Sequence, residues 1–314
     1  MPPLGPRGER ILVTGGAGFI GSHLAEALTD ANDVVVYDSL DAGDRSYVPG
    51  EATLIEADLR DRDTLETAVA NTDRIFHNGA LVSVEQSVRS PRESHDVNVS
   101  ATLSLLDIAR RYDVPVIVAS SAAIYGDPAS IPIDETHPTE PVSPYGLEKL
   151  AIDHYARLFF EQYSLPTVSL RYFNVYGPRQ SSGNYAGVID AFRRQIRSGG
   201  PITIHGDGTQ TRDFVHVEDV VQANLRAANT PAAVGSAFNI GTGTETTIRR
   251  LASSIANTME ADVDQTFVDA RSGDISRSRA DIGRARKALG YEPTVPLADG
   301  LETVLVDRPR ERPP

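Results

Sequence analysis

Six short apolar runs, separated by helical patterns, dominate the first 173 residues. They are ILVTG (11–15), VVVYD (34–38), TLIEAD (53–58), RIFHNG (74–79), VPVIVASS (114–121) and TVSLRYF (167–173). Each is rich in Val and Ile and apolar on both faces, as in strands buried inside a parallel sheet. Helical patterns fill 20–30, 61–71, 94–111 and 144–163. The repeated strand–helix order predicts an α/β fold built on a doubly wound parallel sheet. Beyond 173 the rhythm breaks. GPRQSSGNYAG (177–187) is turn-rich, and FVHVEDVVQANLRAA (214–228) reads as a strand and helix that rejoin the first sheet. ADVDQTFVDA and EPTVPLADGLETVL suggest a smaller α/β unit, and the terminal RPRERPP reads as disordered. The expected division is 1–173, with 213–241 returning to it, and a discontinuous second domain within 174–314.

The first strand runs directly into TGGAGFIG (14–21) and then a helix. Gly15, Gly18 and Gly21 allow a tight turn and close approach of ligand and helix to the backbone. The helix N-terminus offers free N–H groups and a positive dipole end to a pyrophosphate. Such a turn can also serve packing alone, but here strand, helix and a downstream acid coincide. Asp38 ends the second run, 17 residues past Gly21. A carboxylate there accepts ribose hydroxyls and repels a 2′-phosphate, which favours NAD over NADP. Asp58, after the third run, is a candidate for the adenine side.

The chain has 30 basic residues, of which only Lys149 and Lys287 are lysines. Lys149 stands one helical turn after Tyr145 in SPYGLEKLAIDHY, on the same face. A free tyrosine has a pKa of ~10, and bringing it to about 7 requires ~4 kcal/mol of differential interaction. A neighbouring ammonium and a positive nicotinamide ring both favour the phenolate. Lysine is a compact charge with rotatable donors, which a wide planar guanidinium does not replace. Ser120-Ser121 ends a buried strand about 25 residues earlier, so the Ser121 hydroxyl is placed to bond the same reacting oxygen. A chance surface pairing of Tyr and Lys is the plain alternative.

Composition narrows the remaining classes. A net charge of -13 disfavours nonspecific binding to nucleic acid or an anionic membrane. The acidic, lysine-poor balance fits either salt adaptation or a codon bias toward arginine. There is no cysteine, which excludes disulfides, thiol nucleophiles and thiolate metal sites. No metal is expected. The first ten residues lack an apolar signal core, and no run approaches the ~20 apolar residues of a membrane span. A cytoplasmic location is the expectation.

TGGAGFIG, Asp38, ADL (57–59), SSAAIYGD (120–127), YGLEK (145–149), RYFNVYGPRQ (171–180), TRDFVHVEDV (211–220) and RSGD (271–274) together resemble the extended short-chain dehydrogenase/reductase family. The resemblance is to its NAD-dependent nucleotide-sugar epimerases and covers essentially the whole chain. It implies a Rossmann sheet with a smaller C-terminal substrate domain, tightly held NAD, a UDP-sugar substrate and a homodimer. It implies a redox-neutral reaction in which Tyr145 takes the 4-hydroxyl proton as C4 gives up hydride. The resulting 4-keto sugar turns and takes the hydride back on its other face. Ser121 holds the oxygen, and Lys149 binds the nicotinamide ribose. Cofactor contacts implied by the matched motifs are Gly15, Gly18, Phe19, Ile20, Gly21, Asp38, Asp58, Leu59, Asn98, Tyr145, Lys149 and Tyr172.

On the substrate side the resemblance assigns Ser83 and Ser121, with Asn174 on the diphosphate, Arg212 and Arg271 on the phosphates, and Asp274 on the uridine ribose. Ser278 falls where related epimerases carry a gatekeeper, and a small residue there leaves room for an N-acetyl group. Val82 stands where many members carry a lysine. Dehydratases of the family usually have an Asp-Glu pair after the strand-ending Ser or Thr, and decarboxylases a glutamate. This chain has Ala122 and Ala123, which favours 4-epimerisation over a lyase. A non-enzymatic NAD-binding protein on the same fold is a third reading. Family dimers pair the helices near 94–111 and 144–163, which puts Leu147, Leu150, Ala151, Leu158 and Phe159 at the expected seam.

Overall fold

The computed structural model describes residues 4–180, 187–270 and 275–306. The terminal RPRERPP, Arg271 and Asp274 lie outside the described residues. Strands β1 (Arg10–Thr14), β2 (Asp33–Asp38), β3 (Thr53–Glu56), β4 (Arg74–His77), β5 (Val116–Ser121) and β6 (Thr167–Tyr172) fall on the six apolar runs. Shorter strands follow: β7 (Asn174–Tyr176), β8 (Ile202–His205), β9 (Thr211–Arg212), β10 (Phe214–His216), β11 (Ser236–Ile240), β12 (Thr246–Thr247) and β13 (Gln265–Val268). The first helices are α1 (Phe19–Thr29), α2 (Arg62–Val69), α3 (Val84–Arg89), α4 (Pro91–His95) and α5 (Ala101–Arg111). They are followed by α6 (Pro144–Tyr163), α7 (Val188–Arg197), α8 (Val217–Ala228), α9 (Ile248–Thr258), α10 (Gly283–Leu289) and α11 (Leu297–Leu305).

Seven parallel strands form one sheet in the order β11-β6-β5-β4-β1-β2-β3. Alternation along each strand feeds two cores. Ile11, Val13, Val34 and Val36 face the layer of Leu24, Leu28, Val220 and Leu289. Leu12, Val35 and Tyr37 face Leu65, Leu105, Ile152 and Phe159. With side chains alternating at period 2, both faces must be apolar, as the runs indicated. The chain reverses direction across the sheet between β1 and β4. The carboxyl ends of strands flanking such a switch point form a crevice that binds ligands.

A smaller core gathers Ile202, Ile204, Phe214, Leu251, Ile255 and Leu301 around the parallel pair β8·β13. One local expectation is corrected. Strand β10 does not rejoin the large sheet; it pairs with β7, Phe214 opposite Asn174. The strand that does join is β11, beside β6, while α8 packs on α1. The helical pattern at 94–111 is continuous from Pro91 to Arg111, but its winding changes within it. A π-helical turn, Asp96–Ser100, separates α4 from α5, and it carries Asn98. The apolar stripe of α6 is also divided. Leu147 and Leu158 are exposed, but Phe159 is buried and belongs to the protein's own core. Leu150 and Ala151 are partly buried against the same two cores.

Candidate active site

A cavity of about 670 Å³ opens at the carboxyl ends of β1, β2, β4, β5 and β6. Its walls include Gly15, Gly18, Phe19, Ile20, Gly21, Asp38, Asp58, Leu59, Ser121, Tyr145, Lys149, Tyr172 and Asn174. Residues scattered over 160 positions therefore meet in one place.

The glycine turn is dictated by contact. Gly15 sits at φ +65, and a Cβ on Gly21 would lie 2.1 Å from the Gly15 carbonyl oxygen. Gly18 caps α1 with no side chain, and the first turn carries no acid. The leading N–H groups of α1 thus remain open toward the cavity, with the positive end of the helix dipole behind them. Asp38 stands beside this turn. Its Oδ2 accepts from Ala17 N–H (3.0 Å) and its Oδ1 from Leu40 N–H (2.9 Å). Asp58 is at the wall too, but the Arg60 guanidinium grips it at 2.6 and 2.9 Å and holds its carboxyl below the usual range.

At the other end stand Ser121, Tyr145 and Lys149. Ser143 caps α6, its Oγ accepting from Gly146 N–H at 3.1 Å, and Pro144 opens the helix. This presents Tyr145 from the first turn. The Ser121 hydroxyl, at the end of β5, lies near the phenol and favours its ionisation. Lys149 Nζ lies 5.9 Å from the Tyr145 ring centroid and donates to the Ala119 carbonyl at 2.8 Å. Burial pushes the Tyr145 phenol up to about 12 and the Lys149 ammonium down to about 8. The ammonium faces a carbonyl, and desolvation of the phenolate dominates the phenol.

Beneath the site lies a relay that sequence reading missed. Thr102 Oγ1 donates to the Asn98 carbonyl (2.7 Å), so it accepts from His77 Nε2–H (2.8 Å). His77 Nδ1 then accepts from Thr14 Oγ1–H (2.7 Å), whose oxygen accepts from Gly79 N–H (3.2 Å). The network assigns a neutral imidazole with the proton on Nε2. Burial, with Lys149 nearby, lowers its pKa to about 3. The relay joins the ends of β1 and β4 and so fixes the floor of the crevice.

Other expected residues stand elsewhere. Asn98 is buried, and its side chain brackets Leu81, accepting from its N–H (2.8 Å) and donating to its carbonyl (2.9 Å). It supports the cavity wall from behind; the wall itself is Ala80, Leu81 and Val82. Ser83 is buried as the N-cap of α3, its Oγ accepting from Gln86 N–H. Arg212 Nη1 donates to the carbonyls of Thr211 (2.7 Å) and Ile275 (2.8 Å). Ser278 is buried, 3% exposed. Wall residues that the motifs did not single out include Arg60, Asn78, Gln86, Glu93, Ser120 and Gln180. Asn78 Oδ1 and Ser120 Oγ are buried there with no hydrogen-bond partner in the protein. Among the described residues, no group of three or more His, Asp or Glu is gathered as a metal site, and no helix is long and apolar enough to cross a membrane.

The chain matches known proteins along most of its length. The model of the NAD dependent epimerase/dehydratase family matches residues 11–241. The UDP-glucose 4-epimerase of Mycolicibacterium smegmatis is 40% identical over 301 residues, 93% of this chain and 96% of that one. A solved UDP-N-acetylglucosamine 4-epimerase from Methanobrevibacter ruminantium, in complex with UDP-N-acetylmuramic acid, superposes with a TM-score of 0.91. It is 37% identical, covering 95% of this chain and 98% of that one. The UDP-glucose 4-epimerase of Thermus thermophilus, in complex with NAD, gives a TM-score of 0.87 at 36% identity, covering 94% and 97%.

Proposed function

The chain belongs to the NAD dependent epimerase/dehydratase family, and from that membership we propose that it interconverts a UDP-hexose and its C4 epimer. UDP-glucose/UDP-galactose is the first pair proposed, with UDP-GlcNAc/UDP-GalNAc as a second pair in the same site. The observation that carries the reading is the convergence of Ser121, Tyr145 and Lys149 at one end of the cavity, with Ala122 and Ala123 next in the chain. A dehydratase or decarboxylase needs an acid at that point. The wall glutamate Glu93 sits on α4 near Arg60, which pairs with Asp58.

The residues present fit NAD. The glycine turn leaves no room for a Cβ at Gly21, the first-turn N–H groups of α1 are open, and Asn78 Oδ1 and Ser120 Oγ await partners at the wall. Gly15 to Gly21 would hold the pyrophosphate and Asp38 a ribose. When bound, NAD supplies a hydride acceptor that also returns the hydride, and its positive ring offsets the burial of the phenolate. Tyr145 Oη takes the proton of the C4 hydroxyl and later gives it back. Ser121 Oγ bonds the same oxygen through both half-reactions. Lys149 holds positive charge near the phenol and offers N–H donors to a ribose hydroxyl. Asn174 reaches the cavity from β7 on the sugar-nucleotide side. Acceptance of N-acetyl sugars is supported by the similarity to a UDP-GlcNAc 4-epimerase. We further propose a homodimer through α5 and α6, with exposed Leu147 and Leu158 at the seam.

The test is to mix purified protein with UDP-galactose and UDP-GalNAc separately and follow C4 configuration by NMR. Conversion of both pairs is expected. Appearance of a 4-keto-6-deoxy sugar or of CO2 in place of the epimer would overturn the reading in favour of a lyase.

A further inference from the structure

Between Tyr145 and Lys149 in the chain stands Glu148, whose carboxylate is held by α4 and the π-helical turn. It is only 4% exposed. Its Oε2 accepts from Ser94 Oγ (2.7 Å) on α4 and from Asn98 Nδ2 (2.7 Å) on the π-helical turn. Asn98 has two N–H donors and one carbonyl. One N–H goes to Glu148, the other to Leu81 O (2.9 Å), and the carbonyl accepts from Leu81 N–H (2.8 Å). The amide therefore has one orientation. A carboxylate, which only accepts, demands the NH2 group on its side, and this leaves the amide oxygen for Leu81 N–H. Leu81 lines the same cavity as Lys149 and Ser121.

We propose that Glu148 is a positioning residue: through Asn98 it ties the Leu81 wall to the helix that carries Tyr145 and Lys149, and it places a negative charge beside both. The inference rests on reading those two residues as the reacting pair. Its electrostatic part concerns a small set of groups. Lys149 faces Glu148 and Tyr145 on its own helix, Ala119 O and Ser121 on β5, and neutral His77 on β4. Glu148 opposes the burial that lowers Lys149, and it adds to the burial that raises Tyr145. Removing the charge therefore shifts both groups in the same direction, to lower pH.

The scarcity of lysine makes this measurable without turnover. With [ε-¹³C]lysine the full chain gives two lysine signals, Lys149 and the exposed Lys287 of α10. In Glu148→Gln, which keeps the shape and an acceptor oxygen for Ser94, the Lys149 titration midpoint is expected to fall by at least half a pH unit, with Lys287 unmoved. Both limbs of the kcat profile should move to lower pH, with KM for UDP-galactose within twofold. A second variant, Asn98→Ala, breaks the tie and keeps the charge. It should weaken NAD retention at least tenfold while the Lys149 midpoint stays within a few tenths. An unmoved Lys149 midpoint in Glu148→Gln, or unchanged NAD retention in Asn98→Ala, would overturn the proposal. The two readouts need no sugar substrate, so failure of wild-type protein to convert any UDP-sugar would count against the proposed function alone.

Discussion

Lys149 Nζ donates a 2.8 Å hydrogen bond to the carbonyl of Ala119, two residues before Ser121 on β5. The lysine thus bridges α6 and the strand that carries Ser121, from a position 4% exposed. A guanidinium is wider and keeps its charge in a plane, so it does not fit this bridge. Lys149→Arg should lower kcat by roughly 10²-fold or more, with the protein still folded by circular dichroism. Wild-type kcat in that variant would refute the need for an ammonium.

The Tyr145 phenol is the proposed proton carrier. Tyr145→Phe removes one hydroxyl and leaves the ring in place. Turnover should drop by roughly 10²–10⁴-fold, while NAD still copurifies, as measured by absorbance after acid release. Loss of NAD together with activity would mean that the residue binds rather than reacts.

Asp38 is the carboxylate beside the glycine turn. Asp38→Ser removes the charge that would repel a 2′-phosphate. The preference for NAD over NADP, measured by competitive binding to the apoprotein, is expected to fall at least tenfold. An unchanged ratio would place cofactor selection elsewhere.

Arg171 of β6 and Asp153 of α6 form a two-armed pair, 9% and 5% exposed by side chain. Arg171 also donates to Tyr125 Oη (2.8 Å) and the Glu135 carbonyl (3.0 Å). Asp153→Ala strands a buried guanidinium and should cost about 3–5 kcal/mol in urea unfolding. A loss under ~1 kcal/mol would show that Arg171 finds water or another partner.

His77 makes stability depend on pH. Its folded pKa of about 3 lies below the ~6.5 of an unfolded histidine. Between those values the unfolded chain binds the proton and the folded one does not. This contribution is therefore complete above pH ~6.5 and declines as pH falls toward 3. From pH 6.5 to 5 the loss is about 1.6 kcal/mol. Wild type should lose more of its urea midpoint over that interval than His77→Gln; parallel curves would refute the assignment.

Much of this protein was legible locally. The six strands follow from residues that alternate between two apolar faces, and the glycine turn from Gly15 and Gly21, where a Cβ would collide with backbone. The pairing of Tyr145 with Lys149 follows from one turn of helix. These features depend on neighbours within a few residues, where geometry is nearly fixed by chain type. What the fold decided depends on partners far away in sequence. Asn98 faces Leu81, 17 positions earlier, and Glu148, 50 positions later, because a π-helical turn carries it there. His77 is neutral because Thr14 and Thr102 enclose it from 63 and 25 positions away. Strand β10 found β7 rather than the large sheet because β11 pairs alongside β6. Residue types set what chemistry each side chain can do; burial and long-range partners decide its charge and its aim, and these exist only once the chain has closed on itself.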